Sequence, residues 1–575
     1  DGVLRSTTGF DRLDCDEAII AEPILGITQH VEENNNKNIV AVGRTKAFRH
    51  DIVNGRWNEI DGASLAGNIF NPMSFVTIPH QDAIGGKYQH LLICDGVGDI
   101  MHWAGEGESI AALAGSEGYN SSVTGHRALQ VTSFQNRVIL ISPWENAGSG
   151  WIANPQRVRW PQISRLQKQF DRSISGFADG GGGQVTVTCP SHGFAEGDSV
   201  TVTGTTNYDG TFTVSNVTDD SFEITDTWVG NDATGTATIS AWKGTGSGFY
   251  DLRDTGDMNV WAEKLASNLI VYQQHSVWQL RYVGGTTVFY PDILMTDIGL
   301  LGPRLLLSTG NTHYFVGNDF NIYAYMGGTL KKNIGGEIAS FFKRDIDPKF
   351  AFRSWMAIGP QGKYLWIFIV PNGSEFVTKA YKLNLLSGAW TIRDFSHKYT
   401  KTSGITSVLL IGASVYHLGE SYEKALEGEQ TYAEAVIAGT TYADTLTEIR
   451  VDERLTVGDS AGLVLEESSG LEDDGEEIDS VYISKEFDLG MPDTNKRWPG
   501  IVFDVKGENI TVDYRLDENT WVNCGNFTLD STKYQIIKAF INRTGKKLQY
   551  RITTEGQTFY VRQVKIIEPE IMSEI

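Results

Sequence analysis

A short unit recurs along most of this 575-residue chain: an apolar strand, a polar turn, and a second strand carrying an aromatic residue. It is legible in NIVAVGRTKAFRHD from Asn38, QHLLICDGVGDIMHWAG from Gln89, NRVILISPWENAGSGW from Asn136 and NLIVYQQHSVWQLRYVGG from Asn268. Two more copies start at Asn311 and Lys363, and a half-unit, SVLLIGASVYHLG, starts at Ser407. The copies are spaced by roughly 40 to 50 residues, the interval of four-stranded propeller blades. A sheet of that size cannot bury both of its faces alone, so successive copies must pack on each other. Six or seven blades fit the chain. An antiparallel sandwich with hairpins at similar intervals is the alternative that periodicity alone leaves open. Two units end on matching phrases, NGRWNEI and LSGAWTIRD, in which a Gly turn precedes Trp57 or Trp390. The shared phrasing favours a true repeat. The half-unit near Ser407 is expected to pair with the strand around Ile24–His30 and so close the ring.

Composition agrees with an all-β fold, because 62 glycines and 11% aromatics beside only 15 prolines suit many short strands joined by tight turns. Acidic residues outnumber basic ones by 71 to 48, a formal charge of −23. That balance argues against a protein gripping phosphate backbones over a wide basic surface. Cys15, Cys94, Cys189 and Cys524 lie far apart and lack the close spacing of zinc or redox motifs. No window reaches the ~18 apolar residues of a membrane helix, so no membrane segment is expected. Because the chain opens on Asp1, the lack of a basic-then-apolar leader carries no weight about its compartment.

The rhythm breaks between Trp160 and Asn268, where more chain intervenes than one blade needs. The propeller is therefore expected in two parts, 1–175 and 243–420, with a small β-barrel inserted at 176–242. The glycine run Gly180–Gly183 and the GTGSG stretch serve as flexible joints in this reading. Between them QVTVTC, DSVTVTG, GTFTVSNV and SFEITD alternate as half-exposed strands should. Residues 421–480 read as an acidic linker or channel segment. From Glu420 to Asp479 there are 18 acidic residues against Lys424, Arg450 and Arg454, a net of 15 negative charges. Within it Glu472, Asp473, Asp474, Glu476 and Glu477 are the densest cluster. Residues 481–575 return to strands at a density that predicts a C-terminal β-sandwich. Helix is expected only in GEIASFFKRDI and in SYEKALEGEQTYAEAVIA.

No nucleophile elbow, phosphate-cradling loop or H-E-x-x-H motif is present, and the histidines, His90, His102 and His275 among them, lack ligand partners at i+2. Neither a catalytic residue, a cofactor nor a metal is assigned, and the chain is expected not to be an enzyme. Two spaced carboxylates would suffice for a glycosidase, so a sugar-cleaving propeller is kept as the competing class.

HGFAEGDSVTVTG followed by NYDGTFTVSNVTDDSFEI is similar to the small β-barrel first described in ubiquitin-activating enzymes, which also decorates phage virion proteins. His192, Gly193, Phe194, Gly197, Tyr208, Asp209 and Gly210 are the turn and core positions that carry this resemblance. QRVRWPQIS at Gln156–Ser164, with Pro161 where Ser is usual, resembles a segment of the tail nozzle proteins of short-tailed bacteriophages, also called tail tubular or packaged-DNA stabilisation proteins. NIGGEIASFFKRDIDPKFAFRSWMAIGPQGKYLWIFIV and the stretch from ISKEFDLGMPDTNKRWPGIVFDVKG to TGKKLQYRI resemble the same family. The resemblance implies a structural protein of the virion tail. Six copies would form a ring below the portal and head-to-tail adaptor, with tail fibres or spikes as further neighbours. Genomic DNA would be held in the lumen and pass through it without specific binding. The five clustered acids are the expected channel-facing residues. The alternative is a host-receptor-binding or polysaccharide-processing tail protein.

Overall fold

The computed structural model describes residues 4–5, 10–13, 18–32, 37–51, 54–81, 87–105, 107, 109–113, 126–146, 150–161, 169–194, 196–232, 234–244, 246–285, 287–328, 331–412, 414–418, 447–451, 453–467, 472–517 and 519–572. They fall into two compact units, Asp14–Val464, and Asp1–Leu13 with Leu465–Ile575.

The larger unit is a β-propeller whose blades are antiparallel and follow the chain. Blade one is Gly26–Val31, Lys37–Val42, Ala47–Asp51 and Arg56–Ile60. Blade two is Ser74–Gln81, Lys87–Cys94, Met101–Trp103 and Ala111–Ala112. Blade four is Asn259–Leu265, Asn268–Gln273, Val277–Tyr282 and Phe289–Met295. Blade five runs from Leu306–Ser308 to Lys331–Asn333 and blade six from Trp355–Ile358 to Trp390–Asp394. A seventh begins with Ile405–Ile411 paired to Arg454–Asp459. The first strands of consecutive blades lie side by side, and that of blade seven lies against that of blade one. The ring therefore closes at seven. Thr406 Oγ1 donates to Ile24 O at 2.6 Å across this closure, and Ile24 N donates to Asp459 O at 3.0 Å. The closure differs from the expected strand pairing: Ile405–Ile411 takes its ladder from Arg454–Asp459 and meets Gly26–Val31 as a neighbouring blade.

Burial explains the repeat. The second strand of a blade has a neighbour strand on each side and another blade over each face, so NIVAV, RVILI, LIVYQ and LWIFI are buried almost throughout. Such strands read as unbroken apolar runs, where one-sided strands would alternate. The hydrophobic clusters lie between blades: Ile78, Leu92 and Cys94 of blade two pack on Val131, Val138 and Leu140 of blade three. Trp57 and Trp390 both lie on fourth strands, opposite the penultimate residue of the third strand, and both are half-buried.

Blade three is Gln130–Phe134, Arg137–Ile141, Arg157–Trp160 and Gly248–Asp251, so the inserted barrel leaves between its third and fourth strands. Trp160 and Gly248 stand opposite each other in this ladder. The barrel strands extend from Gln169–Ser173 to Thr236–Gly244 around a core of their own that includes Phe177, Val187, Val200, Tyr208 and Phe222. The expected joint at Gly180–Gly183 is instead the turn of a hairpin, with φ between 64° and 84° at Gly181, Gly182 and Gly183. A run of glycines reads as a linker, but here left-handed backbone supplies the demand for glycine. Trp242, the expected last residue of the barrel, is 2% exposed and packs in the cluster between blades two and three.

The smaller unit is a β-sandwich. One sheet holds Leu4–Arg5, Phe559–Ile566, Lys496–Gly507, Gln535–Gly545 and Glu570–Ile571; the other holds Asp479–Ile483, Leu548–Glu555, Asn509–Leu516 and Val522–Thr528. Trp498, Phe503, Val512 and Ile552 fill the space between them. Ala339–Asp345 is an α-helix as its spacing predicts, and burial of Phe342 fixes its inner face. The second expected helix lies outside the described residues.

Gly299 shows how closely the connector leaving blade four passes that blade's own turn after Gln273. A Cβ there would stand 2.2 Å from the carbonyl carbon and oxygen of Gln274, backbone that no rotamer change can move. Gly299→Ala is expected to destabilise the chain by about 3 kcal/mol, at the upper end of overpacking costs. Gly336→Ala, with open space and no positive φ, is expected to fall within about 0.5 kcal/mol of wild type. Urea midpoints of the two variants provide the check.

Candidate functional site

The acidic cluster is a hairpin. Glu472–Asp473 pairs with Glu476–Glu477, and Asp474 (φ 55°) and Gly475 (φ 82°) form the turn between them. Asp-Gly is the preferred pair for a two-residue turn with both φ positive, and the density of charge masked that signal in the sequence. Asp473 is 1% exposed, and its Oδ1 accepts a hydrogen bond from Phe10 N at 3.0 Å. Asp474 accepts from Arg12 Nε at 2.5 Å and Nη2 at 3.2 Å. These two carboxylates hold the strand Phe10–Arg12, which also pairs with Leu465–Glu467. The channel-facing expectation therefore fails for the buried Asp473, and Asp474 is committed to an ion pair. Glu472, Glu476 and Glu477 are exposed. The wider reading of 421–480 as linker or channel is also revised where the structure describes it. Leu455, Val457, Val464 and Leu465 are buried in strands despite the surrounding charge.

Among the described residues no three His, Cys, Asp or Glu side chains converge as a metal site. His90 and His102 do meet, Nδ1 to Nδ1 at 3.2 Å on adjacent strands of blade two. Burial pushes the thiol of Cys94 up to about 12 and that of Cys189 up to about 11, so neither is poised as a nucleophile. Glu263, on the first strand of blade four, is raised to about 7 by burial, offset by a hydrogen bond from Trp261 Nε1.

Sequence reasoning missed a recess of about 40 Å³ at the end of the propeller where the first strands begin. The loop Asn68–Pro72 before blade two forms one wall, and Phe352, Arg353 and Trp355 at the start of blade six form another. Leu25, Phe376, Ile405 and Thr406 complete the lining, and Arg304, just before blade five, is 7% exposed at the base. Arg304 Nη1 donates to Leu25 O at 3.4 Å and Nη2 donates to Met73 O, so one side chain ties the entries to blades one and two. Its guanidinium lies 3.5 Å from the centre of the Trp355 ring. Arg353 lies over Phe70, Phe350, Phe352 and Phe376 at 4.8 to 5.5 Å, and its Nη1 donates to Glu375 O at 2.5 Å. Burial lowers the pKa of both arginines, that of Arg304 far below its usual value. Within KFAFRSW the arginine amid aromatics is the one available signal, but nothing in the sequence ties it to Arg304 or Asn71.

No protein-family model matches this chain, and no curated protein does. Solved structures that align with it include Sqt1 from Chaetomium thermophilum, at 12% identity and a TM-score of 0.31 over 81% of this chain and 100% of that one. YCF48 from Cyanidioschyzon merolae aligns at 8% identity and a TM-score of 0.24, over 80% of this chain and 98% of that one. An exo-beta-1,3-galactanase from Phanerochaete chrysosporium aligns at 8% identity and a TM-score of 0.20, over 97% and 100% respectively. The assignment of this chain as a β-propeller with an inserted barrel and a C-terminal sandwich rests on its own strand pairings.

Proposed function

We propose that this chain is a structural protein of a bacteriophage tail, the nozzle through which a packaged genome is held and released. The observation that carries the reading is the combination of modules: a closed propeller, a barrel grafted inside one blade, and a terminal sandwich with its own core. The segment RVRW supports it by its position. It is the third strand of blade three, where Arg157 pairs with Glu145 at 2.6 Å and Asp251 at 2.7 Å, and Arg159 pairs with Glu145 at 2.9 Å. A phrase shared for architectural reasons belongs in such a place. Copies of a chain at −23 would line a tube that repels phosphate within about a Debye length, ~8 to 10 Å at ordinary salt, and lets DNA slide. Partners in this reading are further copies of the chain in a sixfold ring, the adaptor above, and tail fibres or spikes beside it. No catalytic step is assigned. Among the described residues no helix is long and apolar enough to cross a membrane.

Electron microscopy of tailed particles labelled on this chain is the test. Sixfold rings below the portal are expected, and label confined to fibre tips would favour the receptor-binding alternative. Replacing Glu472, Glu476 and Glu477 with Gln should leave rings intact, slow ejection at low salt and reduce its dependence on salt. Ejection at the wild-type rate at both low and high salt would remove these residues from the conduit.

A further inference from the structure

We propose that the recess between Arg304 and Arg353 binds the carboxylate of a small ligand whose apolar body rests on the aromatic rim. Among the described residues neither guanidinium has a carboxylate oxygen within ion-pair distance, in a chain carrying 71 acidic residues. Glu375 gives Arg353 its backbone carbonyl and only a more distant charge. A buried cation without an anion is costly, and a site that binds one recovers that cost on occupation. Arg304 spends two of its five N–H donors on Leu25 O and Met73 O, which leaves donors for a guest. The buried Nε of Arg353 has no hydrogen-bond partner among the described residues. Asn71 adds an amide to the wall.

The remaining lining selects the class of ligand. A space of about 40 Å³ has room for a few water molecules or one small oxyanion, and no more. The rest of the guest must lie outside, against the rim. There Phe70 is 61% exposed and stacks on Phe352 with ring centres 6.3 Å apart. An exposed ring beside planar guanidiniums suits a flat carboxylate joined to an apolar group, because guanidinium and carboxylate match in two parallel hydrogen bonds. Free phosphate would use the charge and leave the aromatic rim unused.

Equilibrium dialysis of the full chain with radiolabelled benzoate, at fixed ionic strength, provides the test. Benzamide serves as the neutral isostere and inorganic phosphate as the oxyanion without an apolar body. Saturable binding of benzoate is expected, with benzamide and phosphate each at least about tenfold weaker. Arg353→Gln is expected to weaken benzoate at least about tenfold, and Phe70→Ala by several-fold with phosphate unaffected. Arg304→Gln removes ties to two blades and risks misfolding, so Arg353→Gln, with thermal unfolding near wild type, is the deciding variant. Equal binding of benzamide, tighter binding of phosphate, retention of affinity in Arg353→Gln, or no saturable benzoate binding would each overturn the proposal. None of these outcomes bears on whether the chain forms tail rings.

Discussion

Lowering the pH from about 7 to about 4.5 is expected to unfold the propeller unit while the sandwich unit stays folded. All eleven histidines lie between His30 and His417, and residues 1–13 and 465–575 contain none. Three are held neutral by burial, which lowers the pKa of His30 to about 4, of His126 to about 3 and of His313 to about 4. His313 sits between Tyr272 Oη at 3.1 Å and Lys264 O at 3.0 Å, and the ring of His126 is 4.5 Å from that of Trp242. A histidine whose folded pKa is depressed contributes its full stability above the unfolded value of about 6.5 and loses it as the pH falls toward the folded value. A folded pKa one pH unit below the unfolded one corresponds to about 1.4 kcal/mol, so three such groups withdraw several kcal/mol from a domain whose margin is of order 10. Glu263 and Asp459 run the other way, since burial raises the pKa of each and favours the folded state as the pH falls, but they stand against His30, His126 and His313 and the likewise lowered His102 and His192. In the sandwich Asp530 is pulled down to about 2 by its bonds from Thr532, so it stays charged over this window. Limited proteolysis with mass spectrometry across the pH range reads the outcome. Simultaneous loss of both units, or a propeller intact at pH 4.5, would refute the expectation.

Deleting Gly176–Trp242 is expected to unfold the propeller, and deleting Ile174–Gly235 is expected to be tolerated. The difference is Trp242, whose ring fills the cluster between blades two and three against Ile78, Leu92 and Leu140. Loss of a buried tryptophan costs about 3 to 5 kcal/mol. The second deletion ends where Ser173 and Thr236 stand opposite each other in an antiparallel ladder. An Asn-Gly pair can therefore rejoin them as a hairpin turn. Soluble expression, circular dichroism and urea midpoints compare the two, with Trp242→Ala in the full chain as a third arm. If the first deletion is as stable as the second, the barrel and the blades share no packing through Trp242.

Both deletions show where legibility stops. The clean alternation of the barrel strands makes an inserted module evident, because a small barrel with one wet face must alternate. Its edges are not evident, since Gly180–Gly183 looks the same as a flexible joint or as a turn with left-handed backbone. Nothing local marks Trp242 as belonging to the blades, because it becomes a blade residue only by where the returning strand delivers it.

The same division holds for the candidate sites. Charge density singles out Glu472–Glu477, yet Asp473 and Asp474 serve a strand more than 460 residues away in sequence, a pairing that no pattern within the cluster records. Arg304 and Arg353 carry no such local mark, because their chemistry arises from juxtaposition across blades.

Legible in the sequence alone are an all-β chain, a recurring strand–turn–strand unit that favours blades over a sandwich, one inserted barrel and a dense C-terminal run of strands. These are properties of local periodicity, turn chemistry and apolar runs, which each segment carries alone. Tertiary structure decided that the blades number seven, that the barrel leaves between the third and fourth strands of blade three, and that two arginines without a carboxylate partner among the described residues face one recess. Ring closure, strand partnership and the compensation of buried charge are relations between residues far apart in the chain, and folding alone brings them within reach of each other.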